Sequence, residues 1–174
     1  MKKLLIFGNS GSGKSTLARQ LSASEGLAHF DLDTVAWQPS MPPTRRPVAD
    51  SAADIQRFIR ENQRWVIEGC YADLLELLLP DANELVFLNL PVALCIENAR
   101  NRPWEPHKYE SKAAQDSNLA MLIDWIAQYE VRDDEFSLTA HQALFDDFGG
   151  KKTMLFSNTD SQKFMRNQAS AGQR

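Results

Sequence analysis

Residues 8–15 read Gly-Asn-Ser-Gly-Ser-Gly-Lys-Ser, and this stretch decides the fold prediction for the 174-residue chain. It has the pattern G-x-x-x-x-G-K-[ST], in which successive backbone N–H groups curl around phosphate oxygens. Such a turn needs small residues that tolerate unusual backbone angles, and three of the eight are glycine. Residues 4–7 before it are apolar, and Leu17 and Leu21 after it share one helical face. The sequence therefore predicts a phosphate-binding loop between a buried strand and a helix.

The individual positions of this loop have distinct predicted roles. Lys14 is expected to reach the β- and γ-phosphates of a nucleoside triphosphate, and Ser15 to place its hydroxyl on magnesium. The helix that follows points its positive N-terminus at the same anion. A dinucleotide loop is excluded because position 16 is Thr, where that motif needs a third glycine. We expect ATP and Mg²⁺ to be bound by Gly8, Asn9, Ser10, Gly11, Ser12, Gly13, Lys14, Ser15 and Thr16.

The remainder of residues 1–166 alternates short apolar runs with segments of helical period. This alternation predicts a single α/β domain, in which a parallel sheet is covered by helices on both faces. The predicted strands are residues 4–7, 27–32, 65–68, 84–90 and 153–156. The predicted helices are residues 15–24, a helix capped by Ser51, one opened by Pro91, one through residues 119–126, residues 137–148 and about 160–167. Residues 167–174 are expected to be a disordered polar tail.

Acidic residues follow the second and third predicted strands: Asp31, Asp33 and Glu68. Ligands of open α/β sheets bind at the carboxyl ends of the strands. There, one carboxylate can hold magnesium or its waters, and another can accept the proton of an attacking hydroxyl. The alternative is that these acids cap turns or helices, and the sequence does not decide whether Asp33 or Glu68 is the base. Gly69 would let an acceptor approach the backbone closely, while Tyr71 suits either that pocket or the surface.

Basic residues occur in two segments outside the loop. Residues 100–112 are polar and interrupted by prolines, which is typical of a lid that closes over a bound triphosphate. The alternative is a solvated connection between helices, because two glutamates dilute its positive charge. The proline-rich loop 34–50 carries Arg45, which is expected either to contact an anionic acceptor or to lie in a solvated loop. Arg132, after the long helix, is a further basic candidate for substrate binding.

Composition restricts the classes of function. The net charge is −4, without a basic run that could follow a nucleic-acid backbone, so specific nucleic-acid binding is not expected. No stretch approaches the roughly 20 apolar residues of a membrane span, and the apolar N-terminal run is too short for a signal peptide. A cytoplasmic location is expected, and the oligomeric state stays open. Cys70 and Cys95 are expected to be reduced thiols, and His29 and His141 to be packing residues.

The loop, the Asp-x-Asp strand end, the Glu-Gly turn and the polar lid together resemble the nucleoside-monophosphate-kinase-like group. That group includes adenylate, shikimate and gluconate kinases, and proteins labelled as DNA topology modulation factors. The resemblance covers residues 1–166. Residues 32–39, 65–71 and 102–109 look like a bacterial subfamily labelled ATPase or shikimate kinase-like. The resemblance implies a three-layer fold with sheet order 2-3-1-4-5 and a small lid.

The resemblance also implies roles for individual residues. Asp31 and Asp33 look like the magnesium-side and acceptor-binding aspartates of shikimate kinases. Glu68 occupies the place of the strand-three aspartate of adenylate kinases, and Arg102 looks like a lid arginine.

The sequence lacks the substrate-binding motifs of both the adenylate kinases and the shikimate kinases. Asn98 stands where adenylate kinases carry another lid arginine, and residues 69–72 replace their Gly-Phe-Pro-Arg turn. The glycine triplet of shikimate kinases is also missing. We therefore predict an ATP-dependent kinase of an unidentified small molecule. The alternatives are a nucleoside monophosphate kinase and an NTP-binding regulator or slow NTPase.

Overall fold

Five short segments form one parallel sheet in the computed structural model, which describes residues 1–171. The strands are β1 (Lys3–Gly8), β2 (Ala28–Asp31), β3 (Trp65–Gly69), β4 (Glu84–Leu88) and β5 (Lys151–Leu155). Their order is β2-β3-β1-β4-β5, and every neighbouring pair is parallel. The order implied by the family resemblance is therefore confirmed.

Helices connect the strands and cover both faces of the sheet. They are α1 (Lys14–Glu25), α2 (Asp33–Ala36), α3 (Val48–Glu61), α4 (Ala72–Glu76), α5 (Val92–Arg100), α6 (Lys112–Ala127), α7 (Leu138–Asp147) and α8 (Asn158–Ala171). Successive side chains of a strand point to opposite faces. Accordingly, Leu5 and Phe7 of β1 enter one buried core, whereas Leu4 and Ile6 enter the other. Strand β1, which precedes the phosphate loop, is therefore packed between two hydrophobic cores.

The structure corrects several element boundaries. Helix α3 begins at Val48, so Ser51 lies inside the helix and does not cap it. Its buried hydroxyl instead donates to the Val35 carbonyl oxygen at 2.8 Å. Helices α2 and α4 were not predicted, because each has only four or five residues. Helix α8 continues to Ala171, so the prediction of a disordered tail is wrong for residues 167–171, and residues 172–174 lie outside the described part.

Other sequence expectations are met within residues 1–171. Cys70 and Cys95 are both free thiols, and burial raises their pKa values to about 12 and about 11. None of the helices in this range combines the length and apolar character that crossing a bilayer requires.

His141 is a fully buried packing residue, as predicted. Its Nδ1 lies 2.6 Å from the Tyr129 hydroxyl, and its Nε2 lies 2.8 Å from the Cys70 carbonyl oxygen. A carbonyl only accepts, so Nε2 carries the proton and Nδ1 accepts from Tyr129. Burial lowers the pKa of His141 to about 4, and the ring is therefore neutral in the folded protein.

This neutral histidine predicts a loss of stability in acid. The pKa of His141 is depressed from its ordinary 6.5 to about 4, so between these values the unfolded chain binds a proton that the folded protein does not. The contribution of His141 to the free energy of unfolding is fully present above about pH 6.5 and falls as the pH approaches 4. When the pH is lowered from about 7 to 4.5, the free energy of unfolding measured in urea should fall by about 2 kcal/mol more for the wild type than for His141→Gln. Other titrating groups are common to both proteins and cancel, so parallel pH profiles would contradict this account.

Candidate active site

The phosphate loop depends on two glycines with positive φ angles. Gly11 has a φ of 77° and Gly13 a φ of 91°, in the region that side chains disfavour. A Cβ atom at Gly11 would also lie 2.3 Å from the Cys95 carbonyl oxygen of α5. The loop ends at the first turn of α1, where Lys14 Nζ donates to the Asn9 carbonyl oxygen at 2.8 Å. The predicted loop geometry is therefore present.

Glu68 lies beside the phosphate loop because β3 is the neighbour of β1. The strand register pairs Ile6 with Glu68. The Glu68 side chain is almost completely buried, and its Oε1 accepts a hydrogen bond from the Ser15 hydroxyl at 2.8 Å. His29 Nε2 lies 3.5 Å from the same oxygen. His29, for which only packing was expected, thus also contacts a site residue.

Asp31 lies next to Glu68 in the neighbouring strand, since the register of β2 and β3 pairs these two residues. Its Oδ1 accepts from the backbone N–H of Asp33 at 2.8 Å. Burial, together with the charges of Glu68 and Asp33, raises the pKa of Asp31 to about 6. The three predicted carboxylates are therefore brought together at one end of the sheet.

Asp33 is held by two side chains from different parts of the chain. Its Oδ1 accepts from the Tyr71 hydroxyl at 2.5 Å, and its Oδ2 accepts from Lys108 Nζ at 3.3 Å. Burial alone would raise the pKa of Asp33, but Lys108 and the Tyr71 hydrogen bond lower it overall. Tyr71 is buried rather than a surface residue, and its oxygen accepts from Trp37 Nε1 at 2.7 Å. Asp33 is thus kept ionised and fixed in place.

A cavity of about 860 Å³ joins the loop, the acidic strand ends and the predicted lid. Residues 102–109 of the lid segment line it opposite the phosphate loop. Within the lid, Arg102 pairs with Glu105 at 3.3 Å, and Trp104 Nε1 donates to the Tyr109 carbonyl oxygen at 3.0 Å. The other lining residues are Ser10 to Leu17, Arg19, Gln20, Asp33, Glu68, Gly69, Cys70, Asn98, Asn101, Asn158, Ser161 and Gln162.

Asn98 lines the cavity, and no role was predicted for it. Its Nδ2 donates to the Gly11 carbonyl oxygen at 2.9 Å and to Asn158 Oδ1 at 3.0 Å. Asn158 Nδ2 donates back to Asn98 Oδ1 at 2.9 Å. The signal was its position in α5, where adenylate kinases have a lid arginine. An amide at this position links the phosphate loop to the start of α8.

The structure does not bring Arg45 and Arg132 to the cavity. The Arg45 guanidinium binds Glu135 at 2.8 Å and Asp73 at 3.0 Å. Arg132 pairs with Asp134 at 2.8 Å. Both side chains are mostly buried and already neutralised, so their contacts are those of structural residues rather than of acceptor ligands.

The donor atoms near Ser15 fit a magnesium ion. Within the described residues there is no group of three or more His, Cys, Asp or Glu side chains that could hold a metal by itself. Magnesium at a phosphate loop takes most of its ligands from phosphates and water, and only one or two from protein oxygens. The Ser15 hydroxyl beside Glu68, with Asp31 as the strand neighbour, matches that requirement.

The central position of β1 in the sheet and the phosphate loop that follows it define a P-loop kinase-like protein of the nucleoside-monophosphate-kinase-like group. The chain belongs to the family described as AAA domain, whose model matches residues 4–118. It is 24% identical over 131 residues to the uncharacterized protein YqaC of Bacillus subtilis strain 168, covering 74% of this chain and 73% of YqaC.

Solved structures with low sequence identity share the fold. A sugar kinase from Janibacter sp. HTCC2649 is 12% identical and superposes with a TM-score of 0.58, over 98% of this chain and 93% of the kinase. Shikimate kinase from Bacteroides thetaiotaomicron is 13% identical, with a TM-score of 0.55 over 99% of both chains. Shikimate kinase from Acinetobacter baumannii, in complex with shikimate, is 14% identical, with a TM-score of 0.53 over 98% of this chain and 92% of that one.

The lid contacts predict how residues 102–109 respond to ligand. Because Lys108 ties the lid to Asp33, Lys108→Met should speed amide exchange in this segment about two- to fivefold without ligand. Lys112→Met is the matched control, since Lys112 pairs with Asp116 of its own helix. An ATP analogue should slow exchange of the wild-type lid. Exchange that is equally slow with and without the analogue would identify a fixed connection instead.

Proposed function

We propose that this protein is an ATP- and magnesium-dependent phosphotransferase that acts on a hydroxyl group of a small molecule. The observation that carries the proposal is the shared cavity, in which the phosphate loop faces Asp33 and Glu68 beneath a basic lid segment. The sugar kinase and shikimate kinases of similar fold support the class of reaction. Residues 69–72 lack the arginine of the adenylate kinase turn, which disfavours the monophosphate kinase alternative.

The triphosphate would be bound by the backbone N–H groups of residues 8–16 and by the Lys14 ammonium. Ser15 and Glu68 would hold the magnesium ion, with Asp31 beside them. The ion, when bound, neutralises charge on the β- and γ-phosphates. Arg102 would add positive charge from the lid during transfer. Breaking its pair with Glu105 would free the guanidinium for this role.

Asp33 is proposed to receive the acceptor's proton. The hydroxyl oxygen would attack the γ-phosphorus, the bond from that phosphorus to the β,γ-bridging oxygen would break, and ADP would leave. The hydroxyl proton would pass to the Asp33 carboxylate and from there to solvent. Tyr71 and Lys108 orient Asp33 from opposite oxygens, which leaves the carboxylate as a fixed acceptor for the hydroxyl hydrogen. Gly69 lines the same cavity, but a Cβ atom there would lie 2.8 Å from the Leu32 side chain, so its lack of a side chain makes room for Leu32 rather than for the acceptor.

Removing the loop lysine tests nucleotide binding. Lys14→Ala should weaken the binding of a magnesium-bound ATP analogue about a hundredfold, because charge-assisted hydrogen bonds to the β- and γ-phosphates are lost. Isothermal calorimetry measures the change. Lys163→Ala, which removes an exposed lysine of α8, is the matched control and should bind normally. Equal affinity of the two variants would refute the loop assignment.

Substitutions of Glu68 and Asp33 should distinguish a role in metal binding from a role in phosphate transfer to the acceptor. Glu68→Gln should weaken the magnesium dependence and lower ADP release even without acceptor, since Glu68 binds Ser15. Asp33→Asn should retain ATP binding and background hydrolysis but lose most acceptor-stimulated ADP release, on the order of a hundredfold. A coupled ADP-release assay with and without hydroxyl compounds measures both effects.

The same assay decides between the proposal and its rivals. Wild-type ADP release that no acceptor stimulates, with normal ATP binding, would favour a regulator or slow NTPase. Full acceptor stimulation in both variants would show that these acids have no role in transfer.

A further inference from the structure

His29 places a buried polar atom beside the carboxylate of Glu68. Although 23% of the His29 side chain is exposed, its ring nitrogen Nε2 is shielded from solvent and has no hydrogen-bond partner among residues 1–171. This nitrogen lies 3.5 Å from Glu68 Oε1. A buried polar atom without a partner costs free energy, so its presence at this position requires an explanation.

The strand register explains how the imidazole comes to lie there. Strands β2 and β3 pair His29 with Val66, two residues before Glu68. Side chains two residues apart in a strand point to the same face of the sheet, so His29 and Glu68 share one face. Val66 belongs to the core that helix α1 helps to form, so this is the face that α1 covers. His29 therefore approaches Glu68 from β2, whereas Ser15 approaches it from α1.

His29 and Ser15 meet the same oxygen of Glu68. The Ser15 hydroxyl donates to Oε1 at 2.8 Å. His29 Nε2 is about half an ångström farther from Oε1 than an ordinary N–H···O hydrogen bond allows. A carboxylate oxygen only accepts, so the nitrogen that faces it is the one that carries a hydrogen. The neutral Nε2–H ring and the imidazolium both meet this condition, and a small movement would add a second hydrogen bond without any change of charge.

We propose that His29 is a positioning residue for the magnesium site, whose Nε2–H holds Glu68 Oε1 so that the other carboxylate oxygen faces the metal position. The inference rests on the proposed function, in which Ser15 and Glu68 hold the ion. Glu68 lines the cavity, and a carboxylate held by a single hydrogen bond can still rotate about that bond. A second donor on the same oxygen fixes the plane of the carboxylate. Side chains that support a metal ligand in this way raise the metal affinity of the site.

Two substitutions of similar size separate the hydrogen-bond donor of His29 from its packing. His29→Gln keeps an N–H donor, whereas His29→Met has none. The affinity for a non-hydrolysable ATP analogue is measured by calorimetry with magnesium and with EDTA, at about pH 8, where histidine is ordinarily uncharged. The ratio of the two dissociation constants is the coupling between nucleotide and metal. His29→Met should lower this ratio about tenfold, whereas His29→Gln should stay within about twofold of the wild type.

A purely structural role of His29 predicts a different result. Replacing an unpaired buried nitrogen by an apolar group would then change only the stability of the fold, which urea unfolding in EDTA without nucleotide measures. The coupling ratio of His29→Met would equal that of the wild type. Such a result would overturn the inference.

A double-mutant cycle shows whether His29 acts through Glu68. Glu68→Gln should itself lower the coupling ratio. Adding His29→Met to it should lower the ratio by less than about twofold more, because no carboxylate remains to be positioned. A further loss as large as in the wild-type background would contradict the inference, since His29 would then act independently of Glu68.

The wild-type protein gives an answer even if His29→Met does not fold. Nitrogen NMR of the imidazole ring distinguishes a ring nitrogen that carries a proton from one that does not. Nε2 of His29 should carry the proton, and its signal should move when magnesium is added to the protein loaded with the analogue. A bare Nε2, or a signal that magnesium leaves unchanged, would refute the proposed contact.

Other outcomes of the same measurements bear on the proposed function. Failure of the analogue to bind, or binding insensitive to Lys14→Ala, refutes the nucleotide assignment. Wild-type affinity that magnesium does not change refutes the metal assignment of Ser15 and Glu68. Metal coupling that Glu68→Gln lowers and His29→Met leaves intact refutes only the role of His29. Coupling that His29→Met lowers and His29→Gln retains supports that role.

Discussion

The close contact between the phosphate loop and helix α5 is the constraint on which the site depends. Position 11 has no side chain, and a Cβ there would lie 2.3 Å from the Cys95 carbonyl oxygen. From the same helix, Asn98 donates to the Gly11 carbonyl oxygen. The loop is therefore shaped by packing as well as by its own sequence. Its shape in turn sets the start of α1, from which Ser15 reaches Glu68.

The order of the strands in the sheet places the acidic residues of the site beside the phosphate loop. Strand β3 lies between β2 and β1, so the carboxyl ends that bear Asp31 and Glu68 meet beside the loop. The shared edge follows from the parallel arrangement of the strands, whereas the adjacency of β2, β3 and β1 was implied by the family resemblance. The sequence could not predict Tyr71 as the partner of Asp33, since that contact joins a strand end to a turn 38 residues away. The ion pairs of Arg45 could not be predicted either, because Asp73 and Glu135 lie 28 and 90 residues away in the chain. Arg132 instead pairs with Asp134 only two residues away, a local contact that the sequence analysis missed.

The accuracy of the element predictions follows the strength of the local signal. Strands β1, β3 and β4 are buried apolar runs and were found close to their true bounds. Helices α2 and α4 are too short to show a 3.6-residue period, so no pattern marked them. Ser51 has the residue type of a cap, but its hydroxyl bonds to the Val35 carbonyl in a tertiary contact that overrides the local preference. The polar end of α8 was also not predicted as helix, because a helix on the surface needs few apolar residues.

The hydrogen bond from Trp37 to Tyr71 connects a fluorescent side chain to Asp33. The indole of Trp37 lies one side chain away from Asp33, because Tyr71 binds both. It is also stacked on Phe136 with an interplanar angle of 4°. Indole emission responds to changes in hydrogen bonding and local polarity. In a protein in which Trp37 is the sole tryptophan, changes at the Asp33 carboxylate would therefore alter the fluorescence emission without an added dye.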